Sequence, residues 1–138
     1  MKGVSLIFEQ VLLFMMGVTI FISCFSVFTL YQNYFLKLTG EAQAENVLNY
    51  ISSHIIRIAQ YDNETNVTLT LHIPKRIGNE GYEVILTNTG LNLTCLTSEY
   101  SISSRLYGLN QTFNLSGRIK SIDGTFIIYK KGNEIIII

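Results

Sequence analysis

Five asparagines in this 138-residue chain stand two places before a hydroxyl: Asn63-Glu64-Thr65, Asn66-Val67-Thr68, Asn92-Leu93-Thr94, Asn110-Gln111-Thr112 and Asn114-Leu115-Ser116. That spacing is the acceptor pattern for N-glycosylation, which requires an exposed Asn amide in a secreted segment. Eleven Asn set among 23 Ser plus Thr give about two such triplets by chance, so five point towards a sugar-bearing surface. The other residue that calls for a chemical reason is Glu9. It stands at the edge of an uncharged run from Gln10 to Leu36. An ionised acid at the centre of a membrane helix costs ~2.5–3.5 kcal/mol, and less near the end. Two readings follow: Glu9 lies at the headgroups, or it pairs with a cation in an oligomer, the nearest candidate being a free N-terminal amine on a neighbouring helix.

Catalytic arrangements are missing from the sequence. There is no Gly-rich phosphate loop, no paired-Cys motif and no Gly-x-Ser-x-Gly elbow, and Asp62 and Asp123 are the only aspartates. Neither an enzyme nor a cofactor is expected. His54 and His72 have no Cys or acidic neighbours at metal-ligand spacing, so no metal site is expected either. Ten basic residues balance ten acidic ones and charged residues make up only 14% of the chain, which argues against a nucleic-acid partner. Cys24 lies inside the apolar run and Cys95 far downstream; a helix held in lipid cannot bring them together, so no disulfide between them is expected.

The elements that must carry these residues are legible from hydropathy. Val11 to Leu30 would cover roughly 30 Å as a helix, the thickness of a bilayer's hydrocarbon core. Tyr31, Tyr34 and Phe35, then Lys37, follow in the order of an interfacial exit. Lys2 alone precedes the span and no positive cluster follows it, which places the N-terminus in the cytoplasm and the bulk of the chain outside. From Glu41 to Gln60 the apolar residues Ala44, Val47, Leu48, Ile51, Ile55, Ile58 and Ala59 recur at steps of three and four, one stripe on a helix. Gly40, between the two stretches, is a candidate bend or short break.

Beyond Asp62 the spacing predicts strands at Val67–Ile73, Tyr82–Thr87, Leu91–Leu96, Tyr100–Tyr107, Thr112–Ile122, Thr125–Tyr129 and Glu134–Ile138. Asn88-Thr89-Gly90, Asp123-Gly124 and Lys131-Gly132-Asn133 offer hairpin chemistry, and Pro74 ends the first run. The last strand, Ile135 to Ile138, lacks alternation and is expected to be buried on both faces, or else to pair with another subunit's sheet edge. The fold class is therefore α+β: a long N-terminal helix with a transmembrane half and an amphipathic half, followed by a small antiparallel β-sheet or β-sandwich. Four segments result: 1–3 as a leader, 4–36 as the transmembrane helix, 37–61 as the amphipathic helix packing on the sheet, and 62–138 as one extracytoplasmic β domain. About a hundred residues outside the span suffice for one small domain and no more.

A cleaved secretory signal has a shorter apolar core and a small-x-small site, and Phe21-Ile22-Ser23-Cys24 fits a lipoprotein signal poorly. Met1-Lys2-Gly3, then Val4-Ser5-Leu6-Ile7-Phe8-Glu9-Gln10 and a long apolar helix, instead resembles the class III signal of archaeal type IV pilin-like proteins. In that family a prepilin peptidase cuts after the Gly that follows a basic residue. The resemblance implies a cut between Gly3 and Val4, with the helix kept for anchoring and assembly and Glu9 serving as the assembly acid. Glu9 would be the sixth mature residue, where the family usually places the acid fifth. The resemblance covers about the first 60 residues. It implies a subunit, major or minor, of a cell-surface filament, whose partners are the membrane, other pilin-like subunits and the peptidase. The strand-rich remainder also resembles accessory proteins of the archaellum, which hold a small β-sandwich outside the membrane on one helix; that alternative implies an uncleaved tether binding surface-layer or motor proteins.

Overall fold

The computed structural model describes residues 2–98 and 100–138, with side chains from residue 6 onwards. The chain divides into two compact units, Met1–Leu38 and Thr39–Ile138, and helix α1 (Lys2–Ala59) contributes to both. The short break expected at Gly40 is not found, since α1 is helical on either side of it and through it. One glycine costs a helix only about 1 kcal/mol, less than opening a turn of backbone hydrogen bonds.

In the first unit the described side chains of residues 6–38 are all exposed, with Phe21 at 71% and Phe28 at 66%. Apolar residues occur all round this part of the helix. Among the described residues α1 is the one helix long and apolar enough to cross a membrane, by length and composition.

The second unit is one helix on one sheet. Seven strands, β1 (Val67–His72), β2 (Tyr82–Thr87), β3 (Gly90–Cys95), β4 (Ser101–Ser104), β5 (Asn114–Lys120), β6 (Thr125–Lys131) and β7 (Glu134–Ile137), form a single sheet of order β1-β6-β7-β5-β2-β3-β4. Of the two layouts the sequence left open, the single sheet is the one found. All pairs are antiparallel except β5 with β7. The helix stripe Ala44, Val47, Leu48, Ile51, Ile55 and Ile58 is buried in one core with Leu71, Tyr82, Val84, Leu86, Leu93, Ile119, Ile128 and Ile137 from the sheet. Burying each such Leu or Ile contributes ~1.5–3 kcal/mol. Ser52, a polar residue beside that stripe, is buried as well.

Four sequence expectations are corrected. Asp123-Gly124 does turn the chain, after a 3-10 turn at Ser121–Asp123, with Gly124 at φ 67°. It makes no hairpin, because β7 lies between β5 and β6; a tight turn fixes a reversal of direction, not adjacency. The last strand is not buried on both faces. Ile135 and Ile137 are fully buried, Ile136 is half-buried and Ile138 is 66% exposed, since the helix covers one face of the sheet and no second layer of this unit covers the other. Nor is β7 an edge for another subunit, as both its sides are paired within its own sheet. The long strand expected at Tyr100–Tyr107 shrinks to Ser101–Ser104, and a short helix, α2 (Leu109–Thr112), precedes β5.

Candidate functional site

The sequence singled out the N-terminal segment, and α1 carries it. Gly3 and Val4 lie on helical backbone, but their side chains fall outside the described residues. Glu9 is exposed; among the described residues an ion pair joins Arg118 to Glu83, at 3.6 Å, and none reaches Glu9. The polar side chains set in this apolar run solve their own solvation. The hydroxyls of Thr19, Ser23, Ser26 and Thr29 donate to the carbonyls of Met15, Thr19, Ile22 and Phe25, each one turn back, at 2.8–2.9 Å. Such back-bonding satisfies a donor without water, as a hydrocarbon environment demands. Cys24 is exposed within the same stretch, Cys95 is buried in the second unit, and both thiols are free.

The end of α1 is held by a residue that sequence reasoning missed. Lys130 lies on the helix-facing side of β6, two residues after Ile128, and is fully buried. Its ammonium donates to the carbonyl oxygens of Tyr61 and Asp62, both at 2.8 Å, and stands 5.5 Å from the centroid of the Phe113 ring. Those carbonyls lie just past the last helical turn, where the helix dipole presents its negative end. The cation thus ties the segment that leaves the helix to the sheet. Period-two alternation through Phe126, Ile128 and Lys130 was the available signal, hidden because lysine is counted as a surface residue.

At the other end of the helix stripe the Gln43 side-chain oxygen accepts from the Gly78 N–H at 3.0 Å. Nearby, Tyr82 donates its hydroxyl to the Pro74 carbonyl at 2.6 Å, and its backbone N–H bonds to the buried Ser121 hydroxyl. Burial, and secondarily the neighbouring Cys95, pushes the Tyr82 phenol well above its ordinary range. Burial also pushes the Cys95 thiol up, Glu80 adding to the effect and a hydrogen bond with Ser98 opposing it. A buried thiol held protonated is a poor nucleophile. His54 stacks edge-on against Tyr50 at 4.7 Å, and no group of three metal-ligating side chains occurs among the described residues.

The five sequon asparagines, Asn63, Asn66, Asn92, Asn110 and Asn114, are all exposed. Asn63 and Asn66 lie between α1 and β1, Asn110 is in α2, and Asn92 and Asn114 are on β3 and β5. The strand pair points away from the helix, alternating with buried Leu91, Leu93 and Leu115. Known protein families, curated proteins and solved structures yield no match to this chain.

Proposed function

We propose that this protein is a structural subunit, major or minor, of an archaeal type IV pilus-like surface filament, assembled through its N-terminal helix. The observation that carries the reading is the contrast along α1. Residues 44–59 bury their apolar stripe on the chain's own sheet, whereas residues 6–38 expose theirs on every side. An exposed apolar surface of that length requires cover from lipid or from other copies. In the proposed cycle the helix rests in the membrane with the β domain outside, the peptidase cuts between Gly3 and Val4, and the helices then pack on one another in a filament core. Glu9 sets the register by pairing with the new amine of a neighbouring Val4. Filaments sheared from cells should contain this chain, and Glu9→Ala should abolish its recovery there while leaving it in the membrane. Assembly of Glu9→Ala at the wild-type level would remove the acid from the mechanism.

A second reading has its own support. The self-satisfied hydroxyls of Thr19, Ser23, Ser26 and Thr29 suit permanent residence in lipid, as expected of an uncleaved tether whose β domain binds surface-layer or motor proteins. On that reading the chain stays in the membrane fraction and never enters sheared filaments.

A further inference from the structure

The sheet has two distinct ends, fixed by its register and by the two polar ties to α1. Call the entry end the one where Gln43 meets Gly78, near Thr39, at which the apolar segment is joined. There lie the last residues of β1, β3 and β5 and the first of β2, β4 and β6, with His72 opposite Thr125, Tyr82 opposite Cys95 and Glu83 opposite Lys120. The far end is the one where Lys130 donates to Tyr61 and Asp62. Three connections, those that follow β1, β3 and β5, lie at the entry end, and four, 60–66, 88–89, 105–113 and 132–133, lie at the far end.

Four of the five sequons fall on the far side of that division, and the fifth, Asn92-Leu93-Thr94, runs along the middle of β3 towards the entry end. Asn63 and Asn66 are in the connection to β1, and Asn110 is in the connection to β5. Asn114 opens β5 opposite Glu134, and Asn92 is two residues into β3 from its far end, opposite Ile85 and Ser103. The entry-end connections hold Thr97 and Ser98, and an asparagine at Asn79, yet make no acceptor triplet. Two segments distant in sequence thus bring four acceptor triplets to one end of the fold, while Asn92 stands at mid-strand on the open face, and all five asparagines are exposed. Beside Asn92 the open face carries a hollow of about 390 Å³, with Thr87, Thr89, Ser103 and Arg105 in its lining. The hydroxyls and the guanidinium suit a saccharide's hydroxyl-rich edges.

We infer that the far end of the β domain is a glycan cap, with N-linked oligosaccharide on both of the segments 63–66 and 110–114. The donor is an oligosaccharide carried on a polyprenyl phosphate or pyrophosphate. The Asn amide nitrogen forms a bond to the anomeric carbon, and the bond from that carbon to the phosphate oxygen breaks. The electron pair leaves with the lipid phosphate, and the displaced amide proton passes to a base of the transferase. The cap shields the far-end connections and leaves the entry end and the sheet edges free for protein contacts.

The inference rests on the β domain being outside the membrane, part of the function proposed above. Peptide mapping by mass spectrometry of the protein purified from its own cells is the test. Sugar mass is expected on both far-end segments, and its presence on one or none of them overturns the cap. A variant with all five Asn→Gln should show complete loss of that mass and loss of protection of residues 60–66 and 105–113 from protease; unchanged cleavage there overturns the shielding. Unmodified chain in sheared filaments sinks the cap and spares the subunit; sugared chain that never enters filaments does the reverse.

Discussion

Residues 6–38 and 39–59 belong to the same helix, yet their apolar side chains meet opposite fates. In the second stretch they form a stripe, and the sheet of the same chain buries it; Ile51 and Ile55 are fully covered. In the first they surround the helix and stay exposed, Leu30 at 70%. Helix propensity does not separate the two, since both are helical. The difference lies in what each asks of its surroundings: a stripe can be satisfied by one intramolecular partner, whereas an all-round apolar surface can be satisfied only by a medium or by several partners at once.

The largest effects should come from attacking the buried stretch. Ile51→Asp places an unpaired charge in the core and should cost ~4 kcal/mol or more, enough to unfold the β domain; a cooperative denaturant transition equal to wild type would show that the stripe is not what holds the sheet. Gly117→Val should be comparably damaging. Gly117 holds φ 138°, and a Cβ there would run into the carbonyl oxygen of Ile137 on β7.

Truncation sharpens the contrast. Ile51→Ala should lower stability by about 2–5 kcal/mol, while Ile22→Ala in the exposed stretch should leave the β domain's unfolding free energy in urea within about 0.5 kcal/mol of wild type. Equal losses from both would mean that the first stretch also supports the fold. Lys130→Met, which keeps the aliphatic stem but leaves the Tyr61 and Asp62 carbonyls without their donor, should cost ~1–3 kcal/mol, read by the same melts.

The smallest effect is alkaline. Tyr82 and Cys95 are held protonated in the folded state above their ordinary values of 10.0 and 9.0. The folded chain therefore binds more protons than the unfolded one at high pH. Their contribution is intact below about 9 and is lost as pH climbs through 9–10 towards the raised folded values. The Tm should fall over that range, and less steeply in Tyr82→Phe; an unaltered slope would show that other groups govern it.

Much of this was open to a reader of the sequence, for physical reasons. The spans at 11–30 and 44–59 follow from hydropathy and period, which local sequence encodes directly. Six of the seven strands lie within a few residues of where alternation and turn chemistry put them. What escaped depended on partners distant in sequence. That β7 fills the space between β5 and β6 is decided by strand pairing, which the Asp123-Gly124 turn does not reveal. Lys130 is buried because the segment that leaves α1 offers it carbonyls across the fold. The sequons were visible one by one; that four of the five gather at one end of the sheet required the register.

The N-terminal residue of the mature protein isolated from cells bears most directly on what covers the exposed stretch. A chain beginning at Val4 is the expected result, since the proposed packing of helices depends on a freed amine opposite Glu9. Retention of Met1-Lys2-Gly3 on the protein, in membranes and in any filaments alike, would contradict it and leave the helix as a tether in lipid.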